Sequence, residues 1–277
     1  MSAFVSVKDQ KSGKTILGAE DGVNQSYCDL LFYVDATPGS SIDDPERPSI
    51  PDEGDKEEPK PDEDENVTGT LAFEDIWPSG GDYDMNDVIV EYERKVYFDK
   101  KNIVTKIVDE FTPVHDGATY VNAFAYQIDA AQIGDKITLP EGAILEKETS
   151  SIIVMSNAKQ NIGNKYVVTR EFNGSFLKNQ LLSYNPYIIV KYSQGEQNRT
   201  EVHLPKHKAT AYANQSLIGS NDDAYYIDRK GAYPFAIDIP MLGFTPATER
   251  NRIDSQYPGF ATWAKSMGND CKDWYKK

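Results

Sequence analysis

Leu71-Ala72-Phe73-Glu74-Asp75-Ile76-Trp77-Pro78-Ser79-Gly80-Gly81-Asp82-Tyr83-Asp84-Met85-Asn86-Asp87-Val88-Ile89-Val90 is the stretch on which the fold turns. Two apolar runs, 71–73 and 88–90, flank fourteen positions that hold five carboxylates, one carboxamide and no Lys or Arg. Trp77-Pro78 and Gly80-Gly81 are turn formers. The pattern predicts a β-hairpin in which Glu74 and Asp75 end one strand and Asp87 begins the next. The loop then folds Asp82, Asp84 and Asn86 back beside the strand ends. Carboxylates gathered this way repel one another unless something positive enters. Hard oxygen donors without sulfur or imidazole suit Ca²⁺, which takes about six to eight oxygens. The candidate ligands are Asp82, Asp84, Asn86 and Asp87, with Glu74 and Asp75 next. The competing reading is a solvated acidic loop whose Asp and Asn simply form turns.

The spacing of Asp82, Asp84 and Asn86 matches the start of an EF-hand loop, and Glu93 falls at its twelfth position. Two features oppose that geometry. Asp87 stands where the loop needs Gly, and residues 88–93 alternate as a strand, which points Glu93 to solvent.

Outward from the hairpin the chain reads as short β runs. Residues 88–98 form one long strand or two, 99–102 a turn, and 103–108 a further strand. More strands are expected at 121–128, 151–156, 165–172, 186–193 and 199–204. This spacing predicts an all-β protein, an antiparallel, jelly-roll-like β-sandwich. Residues 257–267 read as a short C-terminal helix with an aromatic face, and Asp273-Trp274-Tyr275 as a terminal plug. The 17 Tyr against 11 Phe suit sheets with half-wet faces.

Upstream lies a weaker echo. Leu17-Gly18-Ala19-Glu20-Asp21 matches 71–75, and Cys28-Asp29 with the following apolar run matches 86–92. Aligning Asp29 with Asp87 puts Asn24 and Ser26 opposite Asp82 and Asp84. Glu20, Asp21 and Asp29 therefore form a degenerate second copy of the site. Residues 1–36 are expected to be a hairpin remnant of a preceding related module. Residues 37–69 hold twelve acids, three bases and six of the fifteen prolines. That composition predicts a disordered linker, which leaves 70–277 as the main domain.

The net charge of −15 argues against nucleic acid or an anionic membrane as partner. No apolar run approaches the roughly 20 residues of a membrane span. Met1-Ser2-Ala3-Phe4-Val5 lacks a basic start and enters strand-like sequence at once, as an excised fragment would. The two cysteines, Cys28 and Cys271, fit either a disulfide or two thiols.

On these residues the chain resembles the LruC-domain family of bacterial, Bacteroidetes-type cell-envelope proteins. The resemblance rests on Phe73-Glu74-Asp75-Ile76-Trp77-Pro78 followed by 81–87. It extends through Val121-Asn122-Ala123-Phe124-Ala125-Tyr126, Val202-His203-Leu204-Pro205, 233–240, 257–263 and 273–275. The segment 121–125 departs from a family pattern that favours glycines. Residues 16–36 look like the end of a related calcium-type β module. The resemblance implies a β-sandwich and an envelope location: outer-membrane lipoprotein, periplasmic, or surface and secreted. It implies little about activity.

Other chemistry is weak. His203 and His207 are split by Pro205 and read as surface or turn residues. There is no Gly-x-Ser-x-Gly elbow, and a carboxylate pair for glycoside hydrolysis is not visible in sequence. Trp77 and Tyr83 could stack on a sugar or cover the hairpin end. The expectation is a non-catalytic, calcium-binding envelope module of adhesive or structural role, with a cell-surface glycan or protein as partner. The alternative is a calcium-dependent glycan-binding module.

Overall fold

The computed structural model describes residues 62–276 except 175, 221–224 and 231, and four earlier strands by their backbone alone. The chain divides into two units, Met1–Lys60 and Pro61–Lys277.

The first unit contains β1 (Ala3–Asp9), β2 (Thr15–Glu20), β3 (Leu30–Val34) and β4 (Ser49–Ile50), in sheet order β3-β2-β1-β4. β1–β2 and β2–β3 are antiparallel, and β4 joins β1 in parallel. A lone hairpin of 1–36 is therefore too small a description. Ala19 pairs with Leu30, and Phe73 pairs with Val88 in the second unit. Under the alignment of Asp29 with Asp87 these two closing pairs correspond, so the echo is one of register as well as of composition.

The second unit is built from β5 (Asp62–Phe73), β6 (Val88–Phe98), β7 (Val104–His115), β8 (Ala123–Gln127), β9 (Lys136–Thr138), β10 (Ile144–Glu146), β11 (Ser151–Met155), β12 (Tyr166–Glu171), β13 (Asn185–Val190), β14 (Thr200–His203) and β15 (Ala236–Ile239). Six form one sheet, β15-β5-β6-β7-β12-β9, and five the other, β10-β11-β8-β13-β14. Among the described residues the strand pairings in this unit are antiparallel. Two short helices, α1 (Ile253–Gln256) and α2 (Phe260–Lys265), end the chain. The fold is an all-β sandwich with a short C-terminal helix.

The core follows from alternation. Along β7 buried and half-exposed residues alternate from Ile107 to Pro113, so Ile107, Asp109 and Phe111 point one way and their neighbours the other. Phe111 meets Phe124 and Tyr126 of the opposite sheet at centroid distances of 5.1 and 5.0 Å. β13 is buried on both faces and reads as a continuous apolar run. Trp274 packs edge-on against Phe260 at 4.9 Å, which closes the core at the C-terminal end.

Composition misplaces one boundary. The expected linker 37–69 contains β4, and its last eight residues lie in β5. The partner strand supplies the reason. Asn66 pairs with Lys95 and Val67 with Arg94, and Asn66 Nδ2 donates to Glu93 Oε1 at 2.7 Å. Bases on β6 lie across from the polar end of β5, and a composition window cannot see them.

Candidate metal centre

β5 and β6 are zipped to the pair Phe73–Val88, so the loop 74–87 leaves and re-enters at adjacent points. Glu74 is fixed first, by its backbone N–H donating to Phe235 O at 2.8 Å. Its side chain turns under the loop and is fully buried. There Oε1 accepts from Met85 N at 2.7 Å and Oε2 from Tyr83 N at 3.3 Å. Tyr83 and Met85 both take positive φ, 56° each, which aims these N–H groups at one carboxylate. Gly81 makes the close approach possible, since a Cβ there would lie 2.6 Å from Glu74 Oε2.

Alternation within the loop separates two jobs. Tyr83 and Met85 are buried, and Tyr83 packs on Tyr233 and Phe235 at 5.5 and 5.4 Å. They anchor the loop in the core. Asp82 and Asp84 are left to meet Glu74: one carboxylate oxygen from each of the three lies within 4.8 Å of the others. A chain segment far away in sequence clamps this group. Asp84 Oδ2 accepts from Arg250 N at 3.0 Å, Asp84 O from Ala247 N at 3.1 Å, and Tyr83 O from Ile253 N at 2.8 Å.

Asp75 and Asp87 form the second half of the cluster. Asp87 Oδ2 accepts from Asp75 N at 2.8 Å, and Asp75 Oδ2 accepts from Asn122 Nδ2 at 2.8 Å. Asn86 is placed differently. Its carboxamide oxygen lies against Gly117, whose N–H donates to Asn86 O at 2.9 Å. Asn86 thus ties the loop to the β7–β8 connection. Glu93 is outside the cluster, bonded to Asn66 and paired with Lys95 at 3.2 Å. In the upstream copy Glu20 ends β2, and Asp21 and Asp29 lie outside the described residues. Cys28 does too, while Cys271 is exposed with a free thiol.

Two participants carry no local sequence signal. Asp116, just past β7, has a carboxylate shielded from solvent, with Lys159 Nζ 3.6 Å away. Asn122 Oδ1 is buried and unpartnered as well. Only the folding of the β7–β8 connection onto the hairpin brings them here.

The electrostatics follow from burial without compensation. Burial pushes Glu74 well above the ordinary carboxylate range, and the charge of Asp87 adds to it. Asp84 is pushed up to about 6, chiefly by burial and then by Asp82. Asp87 reaches about 7, through burial and the neighbouring Asp75. Asp75 is raised by burial, against the hydrogen bond from Asn122. The charge of Asp82 contributes to all four shifts. Among the described residues none of the five acids pairs with Lys or Arg; the field of Lys191 reaches Asp75 from further off.

The donor set suits a hard divalent cation. Ca²⁺ binds oxygen at about 2.3–2.6 Å, so ligands on opposite sides of one ion stand roughly 4.6–5.2 Å apart. One oxygen each of Glu74, Asp82 and Asp84 lies within 4.8 Å of the others, close enough to share one such ion.

The aromatic residues of the hairpin and His203 are placed as follows. Trp77 and Tyr83 are buried, so they cover the hairpin end and offer no face to a sugar. Trp77 instead packs on Tyr226 at 4.7 Å. His203 is wholly buried, stacked on Tyr187 at 4.3 Å and bonded to Glu201 and Asn185. Glu201 beside it also binds Arg199 at 2.8 Å, so β14 carries its polar residues inward as one satisfied network.

Comparison with known proteins gives a family match over part of the chain and a likeness of fold. Residues 145–275 match a family described as a domain of unknown function (DUF4842). That span lies downstream of the acidic loop on which the LruC resemblance rests. No curated protein matches the chain. The crystal structure of a "Putative lipoprotein" from Bacteroides ovatus superposes with a TM-score of 0.57 at 19% identity, covering 76% of this chain and 74% of that one. At that identity the likeness is one of fold. Among the described residues no helix is long and apolar enough to cross a membrane.

Proposed function

We propose that the chain is a non-catalytic, calcium-binding β-sandwich module of LruC type, serving an adhesive or structural role in a bacterial envelope protein. One observation carries the calcium reading: five acids share one loop, four of them are pushed toward protonation, and among the described residues no Lys or Arg pairs with them. Such a cluster holds either protons or a cation. Glu74, Asp82 and Asp84 would hold the ion, with Asp75 and Asp87 beside it and Asn86 bracing the loop. The ion would supply the positive charge that the chain itself does not. The envelope setting draws on the description of the Bacteroides ovatus relative as a lipoprotein.

Calcium titrated into chelator-treated protein should raise the melting temperature, and Asp84→Ala should abolish the rise. An unchanged wild type, or an equal rise in the variant, rules out the site.

A further inference from the structure

Beside the core residues Leu71, Phe111 and Tyr126 lies a cavity of about 220 Å³. Its walls include Leu71, Tyr92, Arg94, Tyr184 and Asp238. Leu204 and Asp238 also line an adjoining cavity of about 270 Å³, where Trp263 and His207 stand. Together the two reach the size of ordinary small-molecule sites, roughly 300–1,000 Å³.

Arg94 is the informative residue. Its Nε donates to Asp109 Oδ1 at 3.1 Å, and its guanidinium lies 3.0 Å over the ring of Tyr184. Both supports are themselves fixed. Tyr184 OH donates to Asp109 Oδ2 at 2.9 Å, Tyr126 OH donates to the same oxygen at 3.3 Å, and the wholly buried Arg170 does so at 3.3 Å. Asp109 thus faces two arginines, and Asp238 on the cavity rim lies in the field of Arg94 as well. The terminal amino groups of Arg94 make no hydrogen bond to any described residue, although the guanidinium is locked in place. A fixed, unspent arginine fork is complementary to a carboxylate.

The rim supplies different chemistry. Tyr92 OH donates to Asp238 Oδ1 at 3.0 Å, which leaves acceptor capacity on Asp238 for hydroxyl groups. Gly69 makes that placement possible, because a Cβ there would lie 2.6 Å from Tyr92 Oη. Leu71, Phe111 and Pro186 give an apolar floor that suits the C–H face of a pyranose. The neighbouring cavity presents Trp263 for a second ring.

We propose that these adjoining cavities bind an acidic oligosaccharide, with a uronate carboxylate on Arg94, hydroxyls on Asp238 and the next ring against Trp263. The site uses none of the loop carboxylates, so it stands or falls apart from the metal reading.

Isothermal titration of the full chain in chelator, with glucuronate and galacturonate trisaccharides of α and β linkage, tests it. At least one should bind, and its neutral counterpart should bind at least about tenfold more weakly. Arg94→Gln should weaken binding by about ten- to hundredfold, the range of a charge-assisted hydrogen bond. Trp263→Ala should weaken the trisaccharide and leave the monosaccharide unaffected, a readout that holds even if Arg94→Gln melts early. No binding across the panel, equal binding of the neutral sugars, or preference for a triglutamate peptide overturns the proposal.

Discussion

Replacing Asp82 by Asn should stabilise the calcium-free protein and remove most of its response to calcium. Asp82 makes no hydrogen bond to a described residue, so an isosteric carboxamide breaks no contact. Its carboxylate oxygen lies within 4.8 Å of those of Glu74 and Asp84. Two unit charges at that distance repel by about 0.9 kcal/mol in a water-like medium and about 3.5 kcal/mol at an effective dielectric of 20. Asp82 is the most open member of the three, so the lower figure applies, about 1 kcal/mol. For a domain of this size that is a rise of about 2–4 °C. The calcium side of the comparison is of similar size. With Kd of ~10⁻⁴–10⁻³ M, typical of extracellular modules, about 1 mM calcium contributes roughly 0.4–1.4 kcal/mol. Scanning fluorimetry in chelator and in calcium compares the two proteins directly. Wild type should rise by about 1–5 °C on adding calcium. The variant should start higher and rise by less than half as much. A variant that melts lower in chelator and keeps the full calcium rise would show that Asp82 neither repels its neighbours nor holds the ion.

The raised acids also set a pH dependence. Asp84, near 6, and Asp87, near 7, bind protons more tightly in the folded than in the unfolded chain, where carboxylates titrate near 3.8. Their stabilising contribution is fully present below that value and is lost as pH rises through about 6–7. In chelator the melting temperature should therefore fall between about pH 5 and pH 8, and saturating calcium should flatten the fall; a rise over that interval contradicts the account. Arg199→Met leaves Glu146 without its bidentate partner and Glu201 without the Nε–H bond, and should cost about 3–5 kcal/mol by denaturant melting, with a loss under 1 kcal/mol arguing against a shared network. Gly69→Ala should cost about 1–3 kcal/mol through overpacking against Tyr92 and should weaken uronate binding, and an unchanged midpoint would show that the ring is free to move.

The loop 74–87 was legible because its members are close in sequence. A hairpin brings Glu74 within reach of Asp82 and Asp84 whatever surrounds it, and carboxylate density needs no tertiary knowledge to be seen. The strands at 151–156, 165–172 and 199–204 were legible for a similar reason, since their apolar content shows directly. β15 was not among the strands expected from pattern: four residues between turns give no periodicity, and it becomes a strand only by pairing with β5. The burial of His203 was also hidden, because Asn185 and the ring of Tyr187 meet it only once β13 and β14 pair.

Sequence alone determined the β class of the protein, the acidic hairpin and the residues able to ligate a cation, because each depends on side chains a few positions apart. Tertiary structure alone decided that Arg250 and Asn122 brace the loop from 166 and 47 residues away, and that Arg94 stands locked with unspent donors in a cavity. Those features arise from packing one sheet on another. The burial that raises the carboxylates, and the supports that immobilise the arginine, exist only when distant strands meet.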